Sequence, residues 1–436
     1  MHSDALAARE RFFANDYWVG GVIGLGYVGL PLAMSLSEAG LGVIGLDSSS
    51  ERIEQLNSGH SPVDDVDDDR LRAALDRGAI FTDVEKELVD AHALFVCVPS
   101  PLGRNREPDL SYIRKAVATV EEVAGPGMLI ALESTTYPGT TEDIVVPAVE
   151  AAGLTIDEDA WVAFSPERVS PGGPFGQSQI PKLVGGVTES STEVASAAYR
   201  RFVDTVHSVS SSRVAEMAKL LENTYRAVNI GLINEMAQLA HELDIDIWEV
   251  IDSASTKPFG FQAFYPGPGA GGHCIPLDPQ FLAWRAREAN FATRFIDLAE
   301  QVNSRMPAYT ADRIARVLNS AGLPVFGTSI LGVGIAYKPD VADDRESASL
   351  AVLDELARRG ANISVLDPVV GRARIRERDF AAVDQGDDLT GFAVAAVLTD
   401  HTDLDLGAIA GAVPLVFDAR GAYRRRGISA ANVVVL

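Results

Sequence analysis

The sequence predicts an α/β protein made of two doubly wound, parallel-sheet units joined by a long central helix. Three observations predict it. An apolar run from Trp18 to Ile23 leads into Gly24-Leu-Gly26-Tyr-Val-Gly29, then a helix pattern over Leu30–Ala39 and a second apolar run that ends at Asp47. The same order of strand, glycine turn, helix and strand-ending acid returns between Ser329 and Asp367. Between them, Arg213–Leu243 is a helical pattern without proline, which at the rise of an α-helix spans about 45 Å.

The first of these features carries the most chemistry. In a strand–turn–helix of this kind the glycines permit a tight turn, close approach of a pyrophosphate to the backbone and close packing of helix on strand. The helix N-terminus then faces the phosphates. Asp47 stands about twenty residues beyond the fingerprint, where an acid accepts the two hydroxyls of an adenosine ribose and so favours NAD over NADP. Arg52 is close enough in sequence to affect that choice. Gly24, Gly26, Gly29, Asp47 and Arg52 are therefore candidate cofactor residues. In the second unit Gly332-Val-Gly334-Ile-Ala-Tyr-Lys338 has imperfect glycine spacing, so it is expected to bind a nucleotide differently from the first or not at all.

Length and composition bound the rest. A chain of 436 residues is too long for one hydrophobic core. The expected division is an N-terminal NAD-binding domain over 1–210, a central helical region over 211–310 and a C-terminal domain over 311–436. The two cysteines, Cys97 and Cys274, cannot make a disulfide framework. The beginning Met-His-Ser-Asp-Ala-Leu-Ala-Ala-Arg-Glu lacks the basic start and apolar run of a signal peptide, and no stretch reaches the length of a membrane span; a cytoplasmic location is expected. A net charge of −24 argues against nucleic acid or an anionic membrane as partner, since either needs a basic patch to land on. The acidic tract Asp64–Asp69 reads as a solvated helix start, and no metal site is expected.

Further strand-like runs, Ala93–Val98, Met128–Leu132, Trp161–Phe164 and Lys182–Gly186, alternate with helical segments and extend the first sheet. Ligands gather at the carboxyl ends of such strands. The turns there are Val98-Pro-Ser100-Pro, Glu133-Ser-Thr135-Thr-Tyr-Pro-Gly139 and Phe164-Ser-Pro-Glu167, each offering a hydroxyl or a carboxylate. Cys97 lies within an apolar strand and reads as core.

The loop Phe264–Pro279, rich in glycine and proline, displays one thiol, Cys274, with Asp278 four residues on. Gly271 and Gly272 are expected to leave room for a substrate beside the sulfur, as a nucleophilic cysteine requires. A cysteine in a glycine-rich turn without chemistry is the plain alternative. Lys219 and Asn223 sit four apart and share one face of the central helix. A helix is expected over Gln280–Met306. His273, next to the thiol, reads as structural, because neighbours on an extended loop point apart.

Together, Gly24-Leu-Gly-Tyr-Val-Gly-Leu-Pro31, Glu133-Ser-Thr, Ser165-Pro-Glu, the Lys219/Asn223 helix, Gly271-Gly-His-Cys-Ile-Pro-Leu-Asp278 and Tyr337-Lys-Pro-Asp-Val-Ala-Asp-Asp-Arg-Glu-Ser347 resemble the UDP-glucose/GDP-mannose dehydrogenase family, over nearly the whole chain from about Val19 on. Within that family Pro108-Asp-Leu-Ser-Tyr, Glu133 to Glu142, Lys257-Pro-Phe-Gly-Phe and Tyr265-Pro-Gly-Pro-Gly resemble the UDP-N-acetylglucosamine 6-dehydrogenase branch more than the UDP-glucose branch. Leu277 stands where the UDP-glucose branch has lysine.

The resemblance implies two Rossmann-like domains and an NAD-dependent, four-electron oxidation of a UDP-sugar at C6, from alcohol to carboxylate. It implies Cys274 as nucleophile, Lys219 and Asn223 holding the C6 oxygen, and Asp278 pairing with Lys219 or moving a proton. It implies Thr135 positioning a water and Glu167 as base in thioester hydrolysis. Ser100, Thr135 and Arg345 would join the cofactor site, and Gly271, Tyr265 and Lys338 the substrate site. It further implies a homodimer formed through the central helix and a place in polysaccharide biosynthesis. The rival readings are the same chemistry on UDP-glucose or UDP-N-acetylmannosamine, a two-electron dehydrogenase that needs no thiol, and a non-catalytic nucleotide-sugar binding protein.

Overall fold

A computed structural model describes residues 9–14, 16–63, 65–103, 105–169, 179–272 and 274–436. The chain divides into two compact units, Met1–Glu222 with Gln280–Phe291, and Asn223–Pro279 with Ala292–Leu436. Residues 1–8, Asp64 of the acidic tract and His273 lie outside the described residues.

The first unit is built on an eight-stranded sheet in the order β3-β2-β1-β4-β5-β6-β7-β8, with β1 Val19–Ile23, β2 Gly42–Leu46, β3 Ile80–Thr82, β4 Ala93–Val96, β5 Met128–Leu132, β6 Ala160–Phe164, β7 Lys182–Gly186 and β8 Val206–Ser208. The order reverses at β1/β4, the switch point where doubly wound sheets bind ligands. Alternate residues of the central strands divide between two cores. Val22, Phe95, Ala131 and Ala163 enter one; Ile23, Val96, Leu132 and Phe164 enter the other. Burial on both faces is why these strands read as unbroken apolar runs. One departure from a parallel sheet occurs, since β7 pairs antiparallel with β6.

The second unit holds a six-stranded parallel sheet, β11-β10-β9-β12-β13-β14, with β9 Ser329–Val333, β10 Asn362–Leu366, β11 Ala381–Ala382, β12 Val394–Val397, β13 Val416–Asp418 and β14 Val433–Val435. The helix after β9 is Ala348–Arg358, with Ser347 accepting a capping hydrogen bond from the Leu350 amide.

The central helix runs from Ser212 to Glu242, 31 residues. Where one helix was expected over Gln280–Met306, two are present, Asp278–Glu288 and Arg294–Ser320. The chain breaks at Asn290, whose φ of 56° is left-handed, and Phe291 N closes the turn on Ala286 O at 2.8 Å; asparagine tolerates that conformation better than most residues. The second of the pair continues through Pro307, giving up one rung of the ladder.

Candidate active site

The glycine turn follows from β1. Gly24 has φ 93°, and a Cβ there would lie 2.9 Å from the Cys97 carbonyl oxygen. A Cβ at Gly29 would collide with the Gly24 carbonyl, so the helix Gly29–Glu38 sits directly on the turn. Around Gly26 there is open space, and no side chain caps the helix start, which leaves its backbone facing outward for phosphates. Asp47, buried at the end of β2, accepts from the Leu25 amide at 2.9 Å through Oδ2 and from the Ser49 amide at 3.0 Å through Oδ1. Arg52 Nη1 reaches Asp47 Oδ2 at 3.1 Å. The expected proximity of Arg52 is therefore real, and the acid holds both the loop and the arginine. These residues fit an NAD pyrophosphate and ribose.

Ser134 Oγ donates to Val98 O at 2.7 Å, tying the turn that bears Thr135 to the one that bears Ser100. Beneath them lies a chain of buried charge. Tyr199 Oη donates to Glu133 Oε1 at 2.6 Å, and Lys182 Nζ donates to Glu133 Oε2 at 2.6 Å and to Glu167 Oε2 at 3.2 Å. Glu167 Oε1 also accepts the amides of Arg168 and Val169, each at 2.7 Å. Burial works against the charge of Glu167, yet Lys182 and these amides hold its carboxyl below the ordinary glutamate range. Burial pushes Glu133 up. Lys182, buried between two carboxylates, is pushed above the ordinary lysine range despite the cost of burial.

The central helix supplies the next groups. Buried Lys219 donates from Nζ to the Glu167 carbonyl oxygen at 2.6 Å. Buried Glu216, one turn earlier, accepts the Gly139 amide at 2.5 Å, the Thr141 amide at 2.9 Å and Thr141 Oγ1 at 2.7 Å, fixing the loop after β5; burial pushes its carboxyl up to about 7. Arg168 grips Glu222 through Nη2 at 2.6 Å and Nε at 3.1 Å.

In the second unit, Asn223 Nδ2 donates to buried Asp278 Oδ2 at 2.5 Å. Cys274 is exposed, outside any disulfide, and its carbonyl accepts the Asp278 amide at 2.9 Å. Cys274, Asp278 and Asn223 are thus brought together, with the thiol one turn ahead of the helix Asp278–Glu288. The two glycines before it differ from expectation. A Cβ at Gly272, φ 85°, would meet the Tyr337 ring at 2.8 Å, and one at Gly271 would lie 3.1 Å from the Glu346 carbonyl oxygen. The room beside them is filled by the loop after β9, so these glycines serve packing.

That loop carries Lys338, half-buried, and Arg345, whose Nη2 binds its neighbour Asp343 at 2.7 Å. Tyr265 stacks on Trp248, with ring centroids 5.8 Å apart. Asp367 repeats the position of Asp47, accepting the Ile335 amide at 2.6 Å and the Ala336 amide at 3.2 Å. It is further occupied by buried His401 at 3.0 Å and by the amides of Val369 and Val370. Against the cost of burial, His401 and the Val370 and Ile335 amides pull its carboxyl down to about 2. Asp367 is spent on holding its own loop, unlike an acid poised for a ribose.

Lys182, Tyr199 and Glu216 were not singled out from the sequence. The one visible sign was a lysine opening an otherwise apolar strand, Lys182-Leu-Val-Gly-Gly.

Fold and glycine turn define a two-sheet protein with a dinucleotide site of the kind that NAD-dependent oxidoreductases use. Comparison with known proteins gives the family. The chain matches the UDP-glucose/GDP-mannose dehydrogenase family in its NAD binding domain over residues 20–203, its central domain over 213–305 and its UDP binding domain over 331–425. The chain belongs to this family, and its cofactor is NAD. It is 38% identical over 352 residues to the UDP-N-acetyl-D-mannosamine dehydrogenase of Pyrococcus horikoshii, covering 80% of this chain and 83% of that protein. It is 35% identical over 352 residues to a UDP-N-acetyl-D-glucosamine 6-dehydrogenase of Pseudomonas aeruginosa, covering 80% and 82%. Among solved structures, the UDP-D-ManNAc dehydrogenase of Pyrococcus horikoshii superposes with a TM-score of 0.83 at 31% identity, over 96% of this chain and 98% of that one. The UDP-glucose dehydrogenase of Pyrobaculum islandicum gives 0.81 at 25% identity, over 95% and 97%.

Proposed function

We propose that this chain is a UDP-N-acetylglucosamine 6-dehydrogenase, which converts its substrate to UDP-N-acetylglucosaminuronate in two oxidations. The observation that carries the reading is an exposed Cys274 whose backbone carbonyl accepts the Asp278 amide, with Asn223 donating to the Asp278 carboxylate. An alcohol oxidised once stops at the aldehyde. A thiolate at Cys274 adds to that aldehyde and makes a thiohemiacetal, whose oxidised form is a thioester that water cleaves to the acid. Bound NAD supplies the hydride acceptor for each two-electron step.

Gly24, Gly26 and Gly29 present backbone to the cofactor's phosphates, Asp47 takes the ribose hydroxyls, and Ser100, Thr135 and Arg345 complete its contacts. Lys219 and Asn223 hold the C6 oxygen, and the lysine's charge offsets the developing oxyanion. Asp278 orients Asn223 and moves a proton; Thr135 positions the water that Glu167 activates. Tyr265 and Lys338 contact the UDP-sugar.

A second reading, the same chemistry on UDP-N-acetylmannosamine, is favoured by the 38% identity to an enzyme so named. The two sugars differ only in configuration at C2. We read the assembly as a homodimer, because Val214, Met217, Leu221, Tyr225, Leu232 and Leu239 of the central helix are exposed apolar side chains. No helix among the described residues is long and apolar enough to cross a membrane, and a cytoplasmic location fits the reading. The test is kcat/KM on UDP-N-acetylglucosamine, UDP-N-acetylmannosamine and UDP-glucose. A preference of about 10-fold or more for the first supports the assignment; a like preference for the second transfers it to the epimer.

A further inference from the structure

The chain of charge behind Glu167 has a direction. Lys182 is the first residue of β7, and its Nζ lies between Glu133 Oε2 at 2.6 Å and Glu167 Oε2 at 3.2 Å. Glu133 directly follows β5, and its second oxygen is taken by Tyr199 Oη at 2.6 Å from the helix Glu189–Tyr199. The ammonium lies 5.8 Å from the Tyr199 ring centroid. Lysine and Glu133 are both buried, and a lysine is buried ionised only with a partner of opposite charge. A single carboxylate would have met that need. Here both carboxylates are held on both oxygens, Glu133 by Lys182 and Tyr199 and Glu167 by Lys182 and the Arg168 and Val169 amides, and Glu167 follows the carboxyl end of β6, where ligands of such sheets gather.

We infer that Lys182 is a positioning residue of the reaction, anchored by Glu133 and Tyr199, that keeps Glu167 ionised and aimed for hydrolysis of the thioester on Cys274. The inference rests on the proposed role of Glu167. In that step Glu167 takes a proton from water as the water oxygen bonds to the acyl carbon. The C–S bond breaks with its electron pair going to sulfur, and the proton held on Glu167 returns to solvent or to the thiolate. A protonated Glu167 could not begin it.

The charged and titratable groups packed about the pair are Glu133, Tyr199 and Cys97 on neighbouring elements, Arg168 beside Glu167, and Lys219 on the Glu167 carbonyl. Arg168 is committed to Glu222 and to the Pro181 carbonyl at 2.7 Å. Lys182 is the cation bonded to the Glu167 carboxylate among the described residues. Its removal is therefore expected to raise the pH at which Glu167 becomes a base by about one unit or more.

The experiment uses the full chain with NAD and whichever of the three UDP-sugars it oxidises fastest. Variants are Lys182→Met, Lys182→Arg, Glu167→Gln and the double variant Glu133→Gln, Lys182→Met, which removes the Lys182–Glu133 pair whole and leaves Glu167 as the one carboxylate of the cluster that loses its cation. Intact mass during turnover, the NADH burst and the pH dependence of kcat are read. The expected result for Lys182→Met is a burst of NADH, an accumulating sugar–enzyme adduct, and kcat lowered about 100-fold near neutral pH, where the loss comes from a misaimed Glu167, and lowered further at acid pH, where protonation adds to it. The acid limb should move up in Lys182→Met and in the double variant, with recovery to within about 10-fold in Lys182→Arg. If Glu167→Gln accumulates adduct but the double variant hydrolyses it at the wild-type rate with an unmoved limb, Lys182 has no such role. If Glu167→Gln itself turns over normally, the assignment of the base is wrong and the inference falls with it.

Discussion

Asn223 Nδ2 donates to Asp278 Oδ2 at 2.5 Å, and both side chains are buried. The bond joins the central helix to the first residue of the helix that follows the thiol loop. Asn223→Ala leaves a buried carboxylate short of a donor, at a cost of about 1–3 kcal/mol. Asn223→Asp opposes two carboxylates and is expected to be worse. Melting temperature and kcat, measured together, check this: both should fall in the order wild type, alanine, aspartate. Unchanged values for alanine would leave the bond without consequence.

Asp47 bears on cofactor binding twice, through the Leu25 amide of the glycine turn and through the ribose it is proposed to hold. Asp47→Ala is expected to raise KM for NAD about 10- to 100-fold, with a smaller change in kcat, since the contact is made equally before and during reaction. It should also narrow the preference over NADP, because Arg52 loses the carboxylate that now engages it. Steady-state kinetics with both cofactors decide it.

Glu216 predicts a pH dependence of stability. Its carboxyl is pushed up to about 7 by burial, above the ordinary value of about 4.3 in an unfolded chain. The native state therefore binds a proton that the unfolded state releases. The contribution is fully present below the unfolded value and is lost as pH rises through about 7. Glu216→Gln keeps the neutral shape at every pH. Between pH 5 and pH 8 the wild type should lose about 1–3 kcal/mol relative to this variant, seen as a converging or crossing of their melting temperatures. Parallel curves would contradict it.

Gly272→Ala tests the packing of the thiol loop. The left-handed φ of 85° and the Tyr337 ring 2.8 Å from the new methyl carbon oppose the substitution together. A loss of about 1–3 kcal/mol is expected, with Cys274 displaced; its alkylation rate by iodoacetamide and kcat should both change. A variant with wild-type kcat would show that the loop tolerates the shift.

Much of the fold was legible because its signals are local. Trp18–Asp47 and Ser329–Asp367 each carry strand, glycine turn, helix and acid in one short stretch, and the strands of a doubly covered sheet announce themselves as apolar runs. The break at Asn290 was hidden because asparagine occurs in helices as well as at their ends. Of the site, Cys274, Lys219, Asn223, Asp278 and Glu167 stand in recognisable motifs. Glu133, Lys182 and Tyr199 meet from three elements far apart in sequence, and no spacing rule could join them. The packing role of Gly271 and Gly272 is hidden for a related reason: the Tyr337 side chain beside them arrives from a distant loop.

A four-electron oxidation that passes through a covalent bond to Cys274 fixes how much cofactor is reduced per sugar. The most direct measurement is moles of NADH formed per mole of UDP-N-acetylglucosamine consumed, by the wild type and by Cys274→Ser. Two are expected for the wild type, and loss of turnover or a yield below two for the serine variant. One NADH per sugar from the wild type, or two at full rate from the variant, would contradict it.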